Sequence, residues 1–313
     1  MELIRGVHNL RAEHHGCVAT IGNFDGVHGG HHSIFSRLGE ISDAMALPSI
    51  LITFEPQPLE YFAGTNAPAR LTRFKEKVRA LEKTGLDRVL VLKFDERLSQ
   101  IEASEFVEEL LVHRLGVKSL MAGADFRFGR DAFGNLTLLK TLGKRHEFEV
   151  LERETFVAAG GRVSSSWIRD ALANGELALA TELLGRPYAM SGRVQHGKRL
   201  GRTIGYPTAN ISPRRIVSPL SGIYVVTVSG LGDSARPGVA SIGTRPTVNG
   251  VGVLLEVHLF DFSSDIYGRE VCINFLRKLR DEVRFDSLEI MTAQIDEDAR
   301  QARQYFEDSA ADR

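Results

Sequence analysis

Only two cysteines, Cys17 and Cys272, and a single tryptophan occur in the 313 residues. Two cysteines exclude a disulfide framework, and each sits in an apolar, strand-like run where a free thiol behaves as a small core hydrophobe. Long apolar runs are missing as well: none approaches the ~20 residues of a membrane span. The opening Met1-Glu2-Leu3-Ile4-Arg5 has no apolar block of the kind that marks a secretory signal, so a cytoplasmic location is expected. Nor is there an excess of charge of one sign. Lys and Arg number 39 against 40 Asp and Glu, a formal net charge of -1, which gives no global pull toward nucleic acid or an anionic membrane surface. Internal repeats and low-complexity tracts are absent. What is present is an ordinary globular mixture, 43% hydrophobic and 25% charged, in a chain longer than the ~100 to 200 residues typical of one domain. Two domains, each burying its own core, are expected.

Over the first 185 residues short apolar runs alternate with helix-like segments, the pattern of a parallel sheet with crossover helices. Strands are predicted at 17–21, 49–54, 89–94, 119–122 and 148–151. Helices are predicted at 32–45, 74–83 ahead of Gly85, 104–115 closed by Gly116, and 136–142. The fold class is therefore α/β, with a doubly wound N-terminal domain. From about Pro187 the texture changes to closely spaced β runs broken by glycine and proline, at 222–228, 239–242, 254–260 and 271–275. That spacing indicates a small antiparallel β-barrel. The boundary falls near Gly185-Arg186-Pro187, giving domains 1–186 and 187–313. Asp286 is followed three positions later by Glu289, a capping-box arrangement, and Leu288, Met291, Ala299, Ala302 and Phe306 recur at roughly helical spacing. A C-terminal helix packed on the barrel is expected.

The most informative run is Thr20-Ile21-Gly22-Asn23-Phe24-Asp25-Gly26-Val27-His28-Gly29-Gly30-His31, which joins a predicted strand to a predicted helix. In an open α/β sheet such a loop lies at the carboxyl edge, where ligands bind. Its glycines let backbone approach a ligand, and the helix that follows offers unpaired N–H groups and a positive dipole end to phosphate. Two histidines three apart can donate to triphosphate oxygens as negative charge develops. Incidental surface histidines are the plainer reading of H-x-G-H alone. A zinc site at His28, His31 and His32 is another, but no carboxylate or cysteine pattern completes a tetrahedral set.

A second run, Val163-Ser164-Ser165-Ser166-Trp167-Ile168-Arg169, precedes a helix that ends at Asn174-Gly175. Hydroxyls at a helix N-terminus with an arginine one turn in make an anion site, although a serine cluster there is more often a plain cap. Together, H-x-G-H and V-S-S-S-x-x-R resemble the nucleotidylyltransferase superfamily, whose members direct attack at the α-phosphate of ATP and release pyrophosphate. With Thr53-Phe54-Glu55-Pro56-Gln57-Pro58 and Gly123-Ala124-Asp125-Phe126-Arg127-Phe128-Gly129, the first domain looks like the FMN adenylyltransferase module of bacterial bifunctional riboflavin kinase/FAD synthetases. By that resemblance His28 and His31 hold ATP phosphates, and Ser164, Ser165 and Arg169 complete the phosphate site. Gly22 and Asn23 lie in the same pocket, and Asp125, Phe126 and Arg127 line the nucleotide or flavin side.

Gly192, Gly197, Gly201 and Gly205 interleave with Arg193, Lys198, Arg199 and Arg202, composing a cationic flap able to wrap phosphates through N–H groups and side chains. It is not a Walker A loop, since the G-K-[ST] ending is missing. A nucleic-acid patch on the barrel is the competing use, but only Tyr206 supplies aromatic stacking nearby. The string Gly201-Arg202-Thr203-Ile204-Gly205-Tyr206-Pro207-Thr208-Ala209-Asn210-Ile211 resembles the riboflavin kinase family, as do 238–247 and 255–262. The resemblance implies that Thr208 and Asn210 coordinate Mg2+ and nucleotide phosphates, with Gly197, Lys198, Gly201 and Gly205 around the ATP. A strand over 254–260 puts Glu256 on the face opposite Leu255, Val257 and Leu259. That allows a solvent-facing carboxylate, and the family analogy makes it the base for the flavin ribityl hydroxyl.

The resemblance runs from about Gly22 to Phe306 in at least six separated motifs. It departs modestly at His32, where glutamine is commoner, and in the unusually apolar stretch before Glu256. The expected protein is a transferase that makes FMN from riboflavin and then FAD from FMN, with ATP as co-substrate and Mg2+ as cofactor. Its expected partners are riboflavin, FMN and ATP, with no nucleic acid and no membrane, in a monomer or weak homo-oligomer. The rivals are a single-activity FMN adenylyltransferase whose barrel senses flavin, and a nucleic-acid-binding protein, the second weakened because no K-M-S-K-S-like segment accompanies H-x-G-H.

Overall fold

In a computed structural model, residues 1–197, 201, 205–247 and 250–311 are described. They pack into two compact units, Met1–Pro68 with Lys77–Val163 and Ala69–Glu76 with Ser164–Arg313.

The first unit holds a six-stranded sheet of β1 (Glu2–Arg5), β2 (Cys17–Ile21), β3 (Ser49–Glu55), β4 (Arg88–Lys93), β5 (Val117–Ala122) and β6 (Glu149–Glu152). The order is β1-β4-β3-β2-β5-β6 with every neighbouring pair parallel. β2 is buried throughout and β3 nearly so, as expected of strands covered on both faces. Burial pushes the Cys17 thiol up to about 12, which fits its reading as a core hydrophobe. Helices α1 (Gly29–Met45), α2 (Pro58–Ala63), α3 (Phe74–Leu81) and α4 (Leu136–Arg145) follow strands in the crossover pattern, and the predicted 104–115 helix is mostly a π-helix, Phe106–Arg114. β1 and α2 were not predicted; a four-residue edge strand and a single-turn-and-a-half helix carry too few periodic positions to register. A short ribbon of β7 (Val157–Ala158) and β8 (Gly161–Arg162) closes the unit.

Chain order places the loop after β2 beside the loop after β5. From β2 the chain builds outward through β3 and β4, then returns to the other side of β2 with β5. Their carboxyl ends therefore flank the topological switch point, the crevice where open α/β sheets bind ligands.

The second unit contains α5 (Ser165–Ala173), α6 (Leu177–Leu184), and a closed barrel of β9 (Tyr188–Gln195), β10 (Ala209–Ser212), β11 (Gly222–Ser229), β12 (Arg236–Thr247), β13 (Gly250–Leu259) and β14 (Glu270–Arg280). Its order is β10-β13-β12-β11-β14-β9, and every neighbouring pair is antiparallel. Helix α7 (Leu288–Ala311) packs Ala299 and Ala302 against Ile223, Val225, Val239 and Phe260. Arg280 of β14 grips the buried Asp298 through Nε at 2.9 Å and Nη2 at 2.7 Å. Two details differ from expectation. Ser287 rather than Asp286 supplies the cap, its Oγ accepting from the Ile290 N–H at 3.3 Å. Leu288 stands outside the packed face, 57% exposed, because the helix's first turn overhangs the apolar stripe.

The segment Ala69–Glu76 is stitched into this second unit. Arg215, whose side chain is 2% exposed, meets Glu76 at 2.7 Å and donates to the carbonyls of Arg70 and Leu71. Glu76 also accepts from the Ser191 N–H at 2.7 Å, and Arg73 Nη2 donates to the Ser191 carbonyl at 2.6 Å. Removing one partner of a buried ion pair strands the other charge, at a cost of about 3 to 5 kcal/mol. Glu76→Ala in the full chain is therefore expected to lower the urea midpoint of the barrel unit by that equivalent. An unchanged midpoint would mean that the carbonyls alone satisfy Arg215.

Candidate active site

At the switch point, β2 ends and the backbone turns sharply: Phe24 and Val27, neither of them glycine, sit in the left-handed region at φ 48° and 44°. Such conformations cost ~1 to 3 kcal/mol each and persist where the surroundings over-determine them. The Phe24 ring packs edge-on to His31 at 5.1 Å and against Phe35 at 5.3 Å, inside the fold. His28 caps α1, and its ring stacks on that of His31 with centroids 3.6 Å apart and planes 20° from parallel. A Cβ at Gly30 would lie 3.2 Å from His28 Cε1, so any larger residue there would push on the stacked ring. His31 Nδ1 accepts from the His28 N–H at 3.3 Å, which leaves the ring proton on Nε2. Burial, reinforced by His28, Arg153, Lys77 and His32, pushes the His31 imidazole well below the ordinary histidine range. At neutral pH it is an uncharged donor at the N-terminus of α1.

Gly22 and Asn23 lead into this turn. Gly22 N–H donates to Ile52 at 3.1 Å, and the Asn23 carbonyl accepts from Lys77 Nζ at 2.7 Å and Thr53 Oγ1 at 3.3 Å. Across the switch point Asp125 is exposed and holds two arginines, Arg153 at 3.0 Å and Arg162 at 2.7 Å. Partial burial works to raise the Asp125 carboxyl, but the two guanidiniums outweigh it and hold it below the usual carboxylate range. Phe126 stacks on the buried Phe128 at 5.4 Å, and Arg127 donates to the carbonyls of Ala124 and Phe126 in its own loop. The arginines at 153 and 162 were missed in the sequence because each is isolated there; only β6 and β8 bring them to Asp125. Also missed was an aromatic group at the carboxyl ends of β3 and β4. Phe54, Tyr61 and Phe62 each meet Phe94 at ring separations of 5.4 to 5.9 Å, and Phe62 is 68% exposed.

Ser164, Ser165 and Arg169 belong to the second unit, whereas His28 and His31 lie in the first. Ser164 caps α5, accepting from the Trp167 N–H at 3.2 Å, and Ser165 is the first residue of that helix. Arg169 Nε donates to the Ala69 carbonyl at 2.6 Å.

In the barrel, strand register builds the site. Asn210 of β10 stands directly opposite Glu256 of β13, with Gln195 across from Asn210 on one side and Ser241 across from Glu256 on the other. The neighbouring row, Val194, Ile211, Leu255 and Ile242, is buried in the barrel. Glu256 is thus on the outer face and half-buried, and directly opposed side chains have Cβ atoms about 4.5 to 5.5 Å apart. Thr208, two residues before Asn210, is exposed. The turn before it is anchored at both ends: Tyr206 donates its hydroxyl to Asp296 of α7, and His258 Nδ1 donates to the Pro207 carbonyl at 2.9 Å. Burial and the Asp296 carboxylate push the Tyr206 phenol up to about 12. Of the flap, Gly197 lies against Asn210, where a Cβ would overlap the amide, and the Gly201 carbonyl accepts from the Tyr206 N–H at 2.8 Å. Gly205 takes φ 83°. Lys198, with Arg199 and Arg202, lies outside the described residues.

A parallel sheet with a stacked histidine pair at its switch point, followed by a barrel that opposes an amide to a carboxylate, defines a two-part transferase acting on phosphates. Residues 10–167 match the FAD synthetase family and residues 184–306 the riboflavin kinase family. The chain belongs to the bifunctional riboflavin kinase/FMN adenylyltransferase family. A curated member from Escherichia coli K12 is 51% identical over 98% of both chains, and one from Haemophilus influenzae is 47% identical over 98% of this chain and 99% of its own. A crystal structure of a macrolide-efflux protein from Streptococcus pneumoniae is similar along 95% of this chain and 97% of its own, at 30% identity and a TM-score of 0.80. Among the described residues no helix is long and apolar enough to cross a membrane.

Proposed function

We propose that the barrel phosphorylates riboflavin to FMN and that the α/β unit joins FMN to AMP from ATP, yielding FAD and pyrophosphate. The observation that carries the two-activity reading is the register that sets Glu256 opposite Asn210, since a barrel that only senses flavin needs no such pair. In the first reaction Glu256 accepts the proton of the ribityl hydroxyl as that oxygen attacks the γ-phosphate, and ADP leaves. Gly197, Lys198, Gly201 and Gly205 surround the ATP phosphates. The Thr208 hydroxyl and the Asn210 amide oxygen are hard, neutral donors on the open face, the kind Mg2+ accepts alongside substrate phosphates. When bound, the ion neutralises charge on the transferring phosphoryl group.

The second reaction needs no strong base, because the attacking FMN phosphate is already an anion. Positioning and charge stabilisation suffice. His28 and His31 donate to the ATP phosphates at the N-terminus of α1, Gly22 and Asn23 shape the turn that lines them, and Ser164, Ser165 and Arg169 take the ATP-phosphate role that the family resemblance implies. Asp125, Phe126 and Arg127 flank the nucleotide or flavin, with Asp125 aligning Arg153 and Arg162, while the exposed Phe62 platform suits a flat isoalloxazine ring. We place the protein in the cytoplasm, as a monomer or weak homo-oligomer without nucleic-acid partners.

The test is incubation with riboflavin, ATP and Mg2+ followed by separation of the fluorescent flavins, which should yield FMN and then FAD. Functional domains of 1–186 and 187–313 predict further that residues 187–313 alone make FMN but no FAD. That fragment should melt below the full chain, because Glu76, the partner of Arg215, is gone. A wholly inactive fragment would move the boundary to include 69–76.

A further inference from the structure

Lys77 is fully buried, yet sequence analysis assigned it nothing. Burying an ammonium is costly unless its donors are used, so a lysine in such a place has work that an apolar residue cannot do. Part of that work is visible: Nζ, carried by α3, donates to the Asn23 carbonyl at 2.7 Å, and the buried Thr53 hydroxyl reaches the same oxygen at 3.3 Å. The residue after Asn23 is Phe24, held at φ 48° with its ring against His31, and His31 in turn stacks on His28. A chain of contacts thus runs from the Lys77 ammonium through one carbonyl and one strained turn to the histidine pair.

We propose that Lys77 is a positioning residue for adenylyl transfer: its buried ammonium clamps the Asn23 carbonyl and so holds the Phe24 turn against the His28–His31 stack. A carbonyl fixed by two donors cannot rotate its peptide, and an otherwise unfavourable backbone conformation needs that restraint. The positive charge has a second consequence. His28 at the N-cap of α1, His32 on α1, Lys77 on α3 and Arg153 after β6 all act on His31 in the sense that, with burial, keeps its ring neutral. Lys77 is the charged member of that group tied directly to the turn. A triphosphate arriving at the N-terminus of α1 meets donors already in place.

The proposal rests on reading the histidine pair as the adenylylation site, and the experiment separates the two. In the full chain, Lys77→Met removes donor and charge while keeping the length of the side chain. Four quantities are measured: kcat and KM for ATP in FAD formation, FMN formation as a control that the barrel is unaffected, and the titration of His31 by NMR, in spectra whose dispersion reports that the α/β unit is folded. Misplacement of reacting groups by about 1 Å costs on the order of 10²-fold, so kcat for FAD formation should fall by about 10- to 100-fold with FMN formation unchanged. The His31 midpoint should rise, because a nearby positive charge is lost; a purely structural role for Lys77 would not move it. If Lys77→Met does not fold, Lys77→Gln carries the test, since it keeps an N–H donor, one atom nearer the backbone, and removes the charge; the His31 midpoint should again rise and kcat fall at least threefold. Parent-level FAD formation with an unmoved His31 midpoint, in either folded variant, overturns the proposal. His28→Ala with His31→Ala is the control: if it abolishes FAD formation while the Lys77 variants do not, only the role of Lys77 fails, and if it leaves FAD formation normal, the reading of the site fails first.

Discussion

Replacing both His28 and His31 with alanine should stop FAD formation and let FMN accumulate. Removing one preorganised donor to developing charge typically costs about 10²- to 10³-fold in turnover. These two rings stack 3.6 Å apart and act as a unit, so the double variant should lose at least that much while the losses of the single variants do not add. FMN formation should stay at the parent rate, because Asn210 and Glu256 lie in the other unit. Assaying both flavins in one reaction with riboflavin and ATP checks the two halves together. Near-normal FAD formation would remove the phosphate role from the histidines.

Glu256→Gln should do the reverse. General-base catalysis typically supplies about 10²- to 10⁴-fold, and phosphoryl transfer leans chiefly on positioning, so FMN formation should drop within that range without vanishing. The amide preserves size and loses basicity, and riboflavin and ATP binding should change little. FAD formation from added FMN should remain intact. Kinase turnover within a few-fold of the parent would show that Glu256 is not the base. The nearest carboxylate in sequence, Asp261, is a poor replacement: it is paired with Arg303 at 3.0 and 3.2 Å, and that guanidinium holds its carboxyl below the usual range.

Much of this was legible in the chain. The buried parallel strands appear as apolar runs of five to seven residues because both of their faces are covered. Barrel strands announce themselves by close spacing and glycine breaks, and α1, α4 and α7 by periodicity. Glu256 was assigned to the outer face by alternation alone, and Leu255, Val257 and Leu259 are indeed buried on the other side. β9 and β10 were not predicted as strands. β9 has three glycine-, serine- or charge-bearing positions in eight, and β10 spans only four residues, so neither shows an uninterrupted pattern.

Local order, then, determined which segments become strands and helices, the two-part architecture and the motifs that mark each site, because those depend on composition and period within a few neighbouring residues. Only the tertiary structure decided which residues meet. Sheet order brings the loop after β2 beside the loop after β5, although about 100 residues separate them. Register sets Asn210 against Glu256 across 46 positions of chain, and a slip of one residue would have turned the carboxylate into the barrel core. The clamp of Lys77 on Asn23, the hold of Asp125 on Arg153 and Arg162, and the buried pairing of Arg215 with Glu76 are likewise invisible in the sequence. Each joins single residues with no spacing signature, and for Lys77 and for Arg215 with Glu76 the reason is that burying a charge requires a partner that only the fold can deliver.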